Sequence, residues 1–215
     1  MKIAKIVAVV AAAVCIASSF VSCDPVNDGQ TSLPDSSSVV SAAVVDLTVD
    51  ELNRFNTEFF GGEQFNMRNK FLTSEYGTTK NINLYNLFYD GVGNTYDVTE
   101  DERKQLKSAL GTDELLDVIK VPVDAMNQML NRYAGISLDD TIKLGLDGTV
   151  YLADYDAYYY NHGDSNYCEY KMKSGKRTAD GKVSLRYDGD LGYEYKVTLA
   201  EFGNEYIFVS NQRVS

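Results

Sequence analysis

The stretch Tyr158-Tyr159-Tyr160-Asn161-His162-Gly163-Asp164-Ser165 concentrates the side chains of this chain best suited to hold or act on another molecule. It lies within residues 151–170, which carry seven of the sixteen tyrosines, the single histidine and Cys168. Tyrosine offers flat, amphipathic contact area at low entropic cost, so Tyr158, Tyr159 and Tyr160 suit a sugar ring or a peptide. Asn161, Asp164 and Ser165 would fix its orientation, with His162 beside them. The competing reading is structural. Consecutive tyrosines on a strand point to alternate faces, and in a chain with no tryptophan they are natural core fillers. A small extracellular hydrolase is the alternative function, with His162 as general base, Asp164 as its orienter and Ser165 or Cys168 as nucleophile. Such triads are assembled in space from separated segments, and no Gly-x-Ser-x-Gly elbow is present, so no residue is assigned a catalytic role. One histidine and one remaining thiol do not make a zinc site of ordinary ligand count. The acidic pairs Asp154/Asp156 and Asp188/Asp190 lack the loop pattern of a calcium hand. No cofactor and no metal is expected.

The elements that must carry these residues fall into two halves. Thr48-x-x-Glu51 and Thr99-x-x-Glu102 are capping boxes and predict helix starts. The first helix places Leu52, Phe55 and Phe59 on one face and stops at Gly61-Gly62; the second runs to about Leu110 and stops at Gly111. Leu84 to Phe88 suggests a short buried helix ending at Asp90-Gly91. Leu115 to Val121 is apolar and β-branched enough for a brief strand. Pro122 then opens a helix with Met126, Met129, Leu130 and Tyr133 on one face, closed by Gly135. From Tyr167 onward the period becomes two: Tyr170 and Met172, then Val183, Leu185 and Tyr187, then Tyr193, Tyr195, Val197 and Leu199 alternate with polar residues. Asp180-Gly181, Asp188-Gly189 and Gly203-Asn204 supply turns, and Tyr206 to Val209 is a last strand, apolar on both faces. Helices first and strands afterwards predict an α+β fold, an N-terminal helical half packed on a C-terminal antiparallel meander of about four strands.

Upstream of these elements the chain reads as an address and a tether. Lys2 and Lys5 precede the apolar run Ile6–Ile16, which is well short of the ~20 residues a spanning helix needs. Phe20-Val21-Ser22-Cys23 follows. Here the chain resembles a bacterial lipoprotein precursor, in which lipid is attached to the box cysteine before cleavage. The resemblance implies a signal peptide over 1–22 and lipid attachment at Cys23, although Phe20 replaces the usual leucine. Residues 23–46, with Pro25, Pro34 and a serine run, are expected to be a flexible tether, leaving 47–215 as one extracytoplasmic domain. The valines 39, 40, 44 and 45 offer a strand instead, so the domain starts between 39 and 47. Acylation of Cys23 would leave Cys168 without a disulfide partner.

The net charge is −11, and removal of Lys2 and Lys5 makes it more negative. A phosphate backbone needs a basic face, so no nucleic acid partner is expected, and attachment to a membrane would rest on the acyl chains. The blocks Phe71-Leu72-Thr73-Ser74-Glu75-Tyr76, Leu84-Tyr85-Asn86-Leu87-Phe88-Tyr89-Asp90-Gly91, His162-Gly163-Asp164-Ser165-Asn166-Tyr167 and Phe208-Val209-Ser210-Asn211 together resemble lipoproteins of Gram-positive anaerobic gut bacteria, over nearly all of the chain after Cys23. That resemblance implies a location and no mechanism. The expected function is that of a membrane-anchored surface lipoprotein, a non-catalytic module that binds a glycan, peptide or protein partner or supports the envelope.

Overall fold

The computed structural model describes residues 44–62, 65–162, 169–178, 180–189 and 192–214. Cys23, Asp164, Ser165 and Cys168 lie outside them, as do the address segment and most of the tether.

The chain enters through a two-residue strand, β1 (Val45–Asp46), which pairs with Arg177 and Lys176. The strand alternative for the valine-rich segment is therefore realised at its end. Helix α1 (Val49–Arg54) starts at Thr48, whose hydroxyl accepts from the Glu51 amide while the Glu51 carboxylate accepts from the Thr48 amide at 2.8 Å. The helix continues as a π-helical turn over Phe55–Phe59, closed by the Phe60 amide donating to the Phe55 carbonyl at 2.8 Å. This wider turn carries residue i+5 under residue i, so Phe60 enters the core beside Phe55. The 3.6-residue face expected from the sequence included Phe55 and Phe59 and missed Phe60. Gly61 is required immediately afterwards, because a Cβ there would stand 2.4 Å from the Thr57 carbonyl oxygen.

Short helices α2 (Met67–Lys70) and α3 (Leu84–Phe88) fill the core with Met67, Leu84, Leu87 and Phe88. Helix α4 (Glu100–Leu110) has its full capping box on Thr99 and ends on Gly111 in the left-handed conformation. Strand β2 (Val118–Pro122) runs directly into α5 (Val123–Ala134), which buries Met126, Leu130 and Tyr133 and ends on Gly135, also left-handed. A third capping box, Ser137 with Asp140, opens a single 3-10 turn.

The C-terminal half is the expected antiparallel meander: β5 (Met172–Arg177), β6 (Lys182–Asp188), β7 (Glu194–Phe202) and β8 (Glu205–Arg213). With β1 on its edge it forms a five-stranded sheet in the order β1-β5-β6-β7-β8. In β6 the alternation is as read, with Val183, Leu185 and Tyr187 inward. In β5 a register shift between Met172 and Ser174 changes the phase and turns Gly175 inward. A Cβ on Gly175 would lie 2.5 Å from the Leu47 side chain and 2.7 Å from that of Leu185, so those leucines pack where a side chain would otherwise be. The last strand is terminal in the sheet, yet covered: α5 packs against it, and Tyr76 bridges its outer edge at Asn211 with backbone bonds of 2.7 and 2.9 Å. Phe208 stacks on Phe71 at 4.5 Å.

A second sheet was not expected. Strands β2, β3 (Val150–Leu152) and β4 (Ala157–Asn161) associate in the order β2-β4-β3, all antiparallel. Tyr160 faces the main core, whereas Tyr159 and Ala157 face a smaller cluster with Leu106 of α4 and Leu152. The sheet is thus sandwiched between two apolar layers. The result is an α+β architecture with the helices N-terminal to the larger sheet.

Candidate functional site

The tyrosine run is the central strand of the smaller sheet, and its position decides what each side chain can present. Tyr159 and Tyr160 are 1% and 0% exposed. The Tyr160 hydroxyl donates to the Leu84 carbonyl at 3.2 Å, and its ring tilts against Tyr85. The Tyr159 hydroxyl donates to Glu102. Both rings are core, with their polar ends satisfied inside the protein. Tyr158 is half-buried and leans on the exposed Tyr151 at 4.9 Å, whose hydroxyl donates to Asp156 at 2.8 Å. Asn161 accepts from the Leu116 amide at 2.8 Å, tying the strand to the segment before β2. The His162 ring is 8% exposed, stacks on Tyr89 at 3.8 Å, and its Nε2 lies 2.8 Å from the Tyr89 carbonyl oxygen. A carbonyl can only accept, so Nε2 carries the proton and donates. Nδ1 is buried without a partner among the described residues. The structure therefore brings Tyr158, Tyr159, Tyr160, Asn161 and His162 together on one strand and its exit, but spends most of their polar atoms on internal bonds.

Beneath α4, Tyr159 belongs to a buried polar network. Glu102 is fully buried; its Oε2 accepts from the Thr99 amide at 2.7 Å and hydroxyl at 2.8 Å, and its Oε1 meets Lys120 at 2.5 Å and the Tyr159 hydroxyl. Burial by itself raises the Glu102 carboxyl pKa, but the donors from Lys120, Tyr159 and Thr99 outweigh it and bring the value down to about 2. The same burial, followed by the Glu102 charge, pushes the Tyr159 hydroxyl upward. Every oxygen here is occupied, which makes the network a clamp between α4 and the smaller sheet.

A cleft of about 440 Å³ elsewhere combines apolar walls with uncommitted charge, the combination expected of a ligand site. Phe55 and Phe59 of the π-turn and Tyr206 of β8 form its aromatic wall, with ring centres 5.3 to 6.1 Å apart. Arg177 of β5 closes one side; it reaches the Tyr206 hydroxyl at 3.3 Å, Glu51 at 3.3 Å, and Glu201. The Tyr206 hydroxyl, burial, and then these carboxylates set its pKa, which is raised overall. Arg68 of α2 closes the other side, its guanidinium 4.6 Å from the Phe59 ring centre and 5.4 Å from that of Tyr133. Its placement follows from the preceding asparagine. Asn66 caps α2 by accepting from the Arg68 amide at 3.0 Å, while its Nδ2 donates to the Phe59 and Gly61 carbonyls, each at 2.9 Å. Asn69 adds a bond to the Phe60 carbonyl at 3.1 Å. These two side chains satisfy the carbonyls left open by the end of the π-turn and hold α2 against it.

None of the cleft residues was read as a site from the sequence. Phe55 and Phe59 read as an ordinary core face, and Arg68 stands more than one hundred positions from Arg177 and Tyr206 with no spacing to connect them. Among the described residues there is no group of three or more His, Cys, Asp or Glu able to hold a metal ion, and no helix long and apolar enough to cross a membrane. Comparison of the chain with protein-family models, with curated proteins and with solved structures gives no match.

Proposed function

We propose that this chain is a lipid-anchored protein of the outer face of a cell membrane whose α+β domain is a non-catalytic binding module. The observation that carries the binding reading is the cleft of Phe55, Phe59 and Tyr206 between Arg68 and Arg177: aromatic walls for an apolar body, flanked by fixed charge for orientation. The anchor reading is supported by the charged start, the short apolar run and the box ending in Cys23. A net charge of −11 supports a glycan, peptide or protein partner over nucleic acid. The hydrogen bond from His162 to a backbone carbonyl, under a stacked tyrosine ring, supports a packing role for that residue over a general base.

The test is a thermal-shift screen of the chain against envelope glycans, peptides and small metabolites. A ligand at about 100 times its dissociation constant adds roughly 2.7 kcal/mol to stability. The expected result is a shift from at least one class that Tyr206→Ala or Phe59→Leu removes while the unliganded melting temperature stays close to wild type. A shift that survives both substitutions would place the site elsewhere. No shift from any class would contradict small-ligand binding and favour an envelope-accessory role.

A further inference from the structure

Among the described residues, Arg68 is a cation without a counter-ion. Its Nε is buried with no acceptor, and among the described residues no carboxylate pairs with it. What holds it is ring stacking on Phe59 and Tyr133. The contrast with Arg177 across the cleft is direct, because Arg177 is held by Glu51 and Glu201 and has little charge left to offer. A guanidinium that is stacked, positioned by the Asn66 cap and unpaired is preorganised for a planar anion, since most of the entropic cost of fixing it has already been met in folding. The same cleft is lined by Arg54 and by Glu51, Glu58 and Glu205, and these three carboxylates would repel a multiply charged ligand.

The geometry points to Arg68 as the anchor for the carboxylate of a singly charged ligand whose apolar body lies against Phe59 and Tyr206. This rests on the reading of the cleft as the binding site and names the ligand class it takes. Two sources share the chemistry, the C-terminal residue of a peptide and an aliphatic acid. N-acetyl-L-phenylalanine and octanoate represent them, and N-acetyl-L-phenylalanine amide is the neutral control.

The experiment is isothermal titration calorimetry of the full chain with these three probes, repeated with Arg68→Gln and Tyr206→Ala, each variant first checked for an unchanged melting temperature. At least one acid is expected to bind about tenfold or more tightly than the amide, with affinity falling as salt rises. Arg68→Gln should remove that preference, and Arg68→Lys should restore part of it and its salt dependence. The stronger acid tells a peptide terminus from an aliphatic acid. Equal binding of acid and amide, both lost in Tyr206→Ala, would overturn the role of Arg68 while leaving the cleft as a binding site. Binding of neither acid overturns the carboxylate assignment, and the broader screen then decides the fate of the cleft.

Discussion

Glu102 shows how much a single residue can be asked to do. Its carboxylate caps α4, pairs with Lys120 and accepts from Tyr159, all without exposure to solvent. Lys120→Met leaves that charge buried without its cation and should cost about 3 kcal/mol in urea denaturation. Removing the charge as well, in Glu102→Met with Lys120→Met, should recover part of the loss, because no unpaired ion then remains. The pH dependence has a definite sign. The folded carboxyl titrates at about 2 against an ordinary 4.5, so its stabilisation is fully present above 4.5 and is lost as pH falls toward 2. A melting temperature flat across that window in the wild type, or equally acid-sensitive in Glu102→Gln, would contradict this. Asn211 is the second such residue: buried, it donates to the Leu72 and Ser74 carbonyls at 3.3 and 3.0 Å and accepts from the Tyr187 hydroxyl at 2.9 Å. Asn211→Leu should cost about 2–4 kcal/mol, measured by the same denaturation. The cap of Glu102 on Thr99 was legible from three-residue spacing. Its partners Lys120 and Tyr159 were not, since ion pairs across elements leave no local signature. The same holds for Arg68, whose stacking depends on Phe59 and Tyr133.

At the scale of elements, local rules served where the chemistry is local. Thr48 and Thr99 were read as caps, Gly111 and Gly135 as stops, Pro122 as a helix entry, and each occupies that place. Thr99→Ala should cost about 1 kcal/mol from the lost cap, and more than Thr48→Ala, because its box is joined to the buried network while that of Thr48 is exposed. Two elements escaped local reading, and a third was read as a core strand only beside a competing reading as a recognition loop, each for its own physical reason. The π-turn adds a residue to one helical turn and so hides Phe60 from a 3.6-residue period. The shift in β5 reverses alternation within a six-residue strand. The tyrosine strand is covered on both faces, so it shows no alternation at all. Gly175→Val tests the second case: with Leu47 and Leu185 occupying the space, the variant should be destabilised by about 1–3 kcal/mol, as an overpacked core site is. A neutral result would mean that β5 slides in register to accommodate it.

For the molecule as a whole, the order of helices before strands was enough to read an α+β fold, and the turn glycines were enough to read the four-strand meander. The smaller sheet was hidden because β3 is brief and β2 pairs with β4 across the intervening α5 and β3, a non-local pairing with no sequence signature. The two aromatic regions have divided roles. The tyrosine run that looked most functional in sequence is largely core, whereas the cleft is built from phenylalanines and arginines of unremarkable local context. We propose a ligand cleft held outside the cell by a lipid anchor at Cys23, and that location can be read in one measurement. The mature protein extracted from membranes of the native host should give, by mass spectrometry, an N-terminal peptide beginning at Cys23 and carrying acyl mass, which Cys23→Ala abolishes. An unmodified thiol at Cys23, or a mature terminus at another residue, would contradict it.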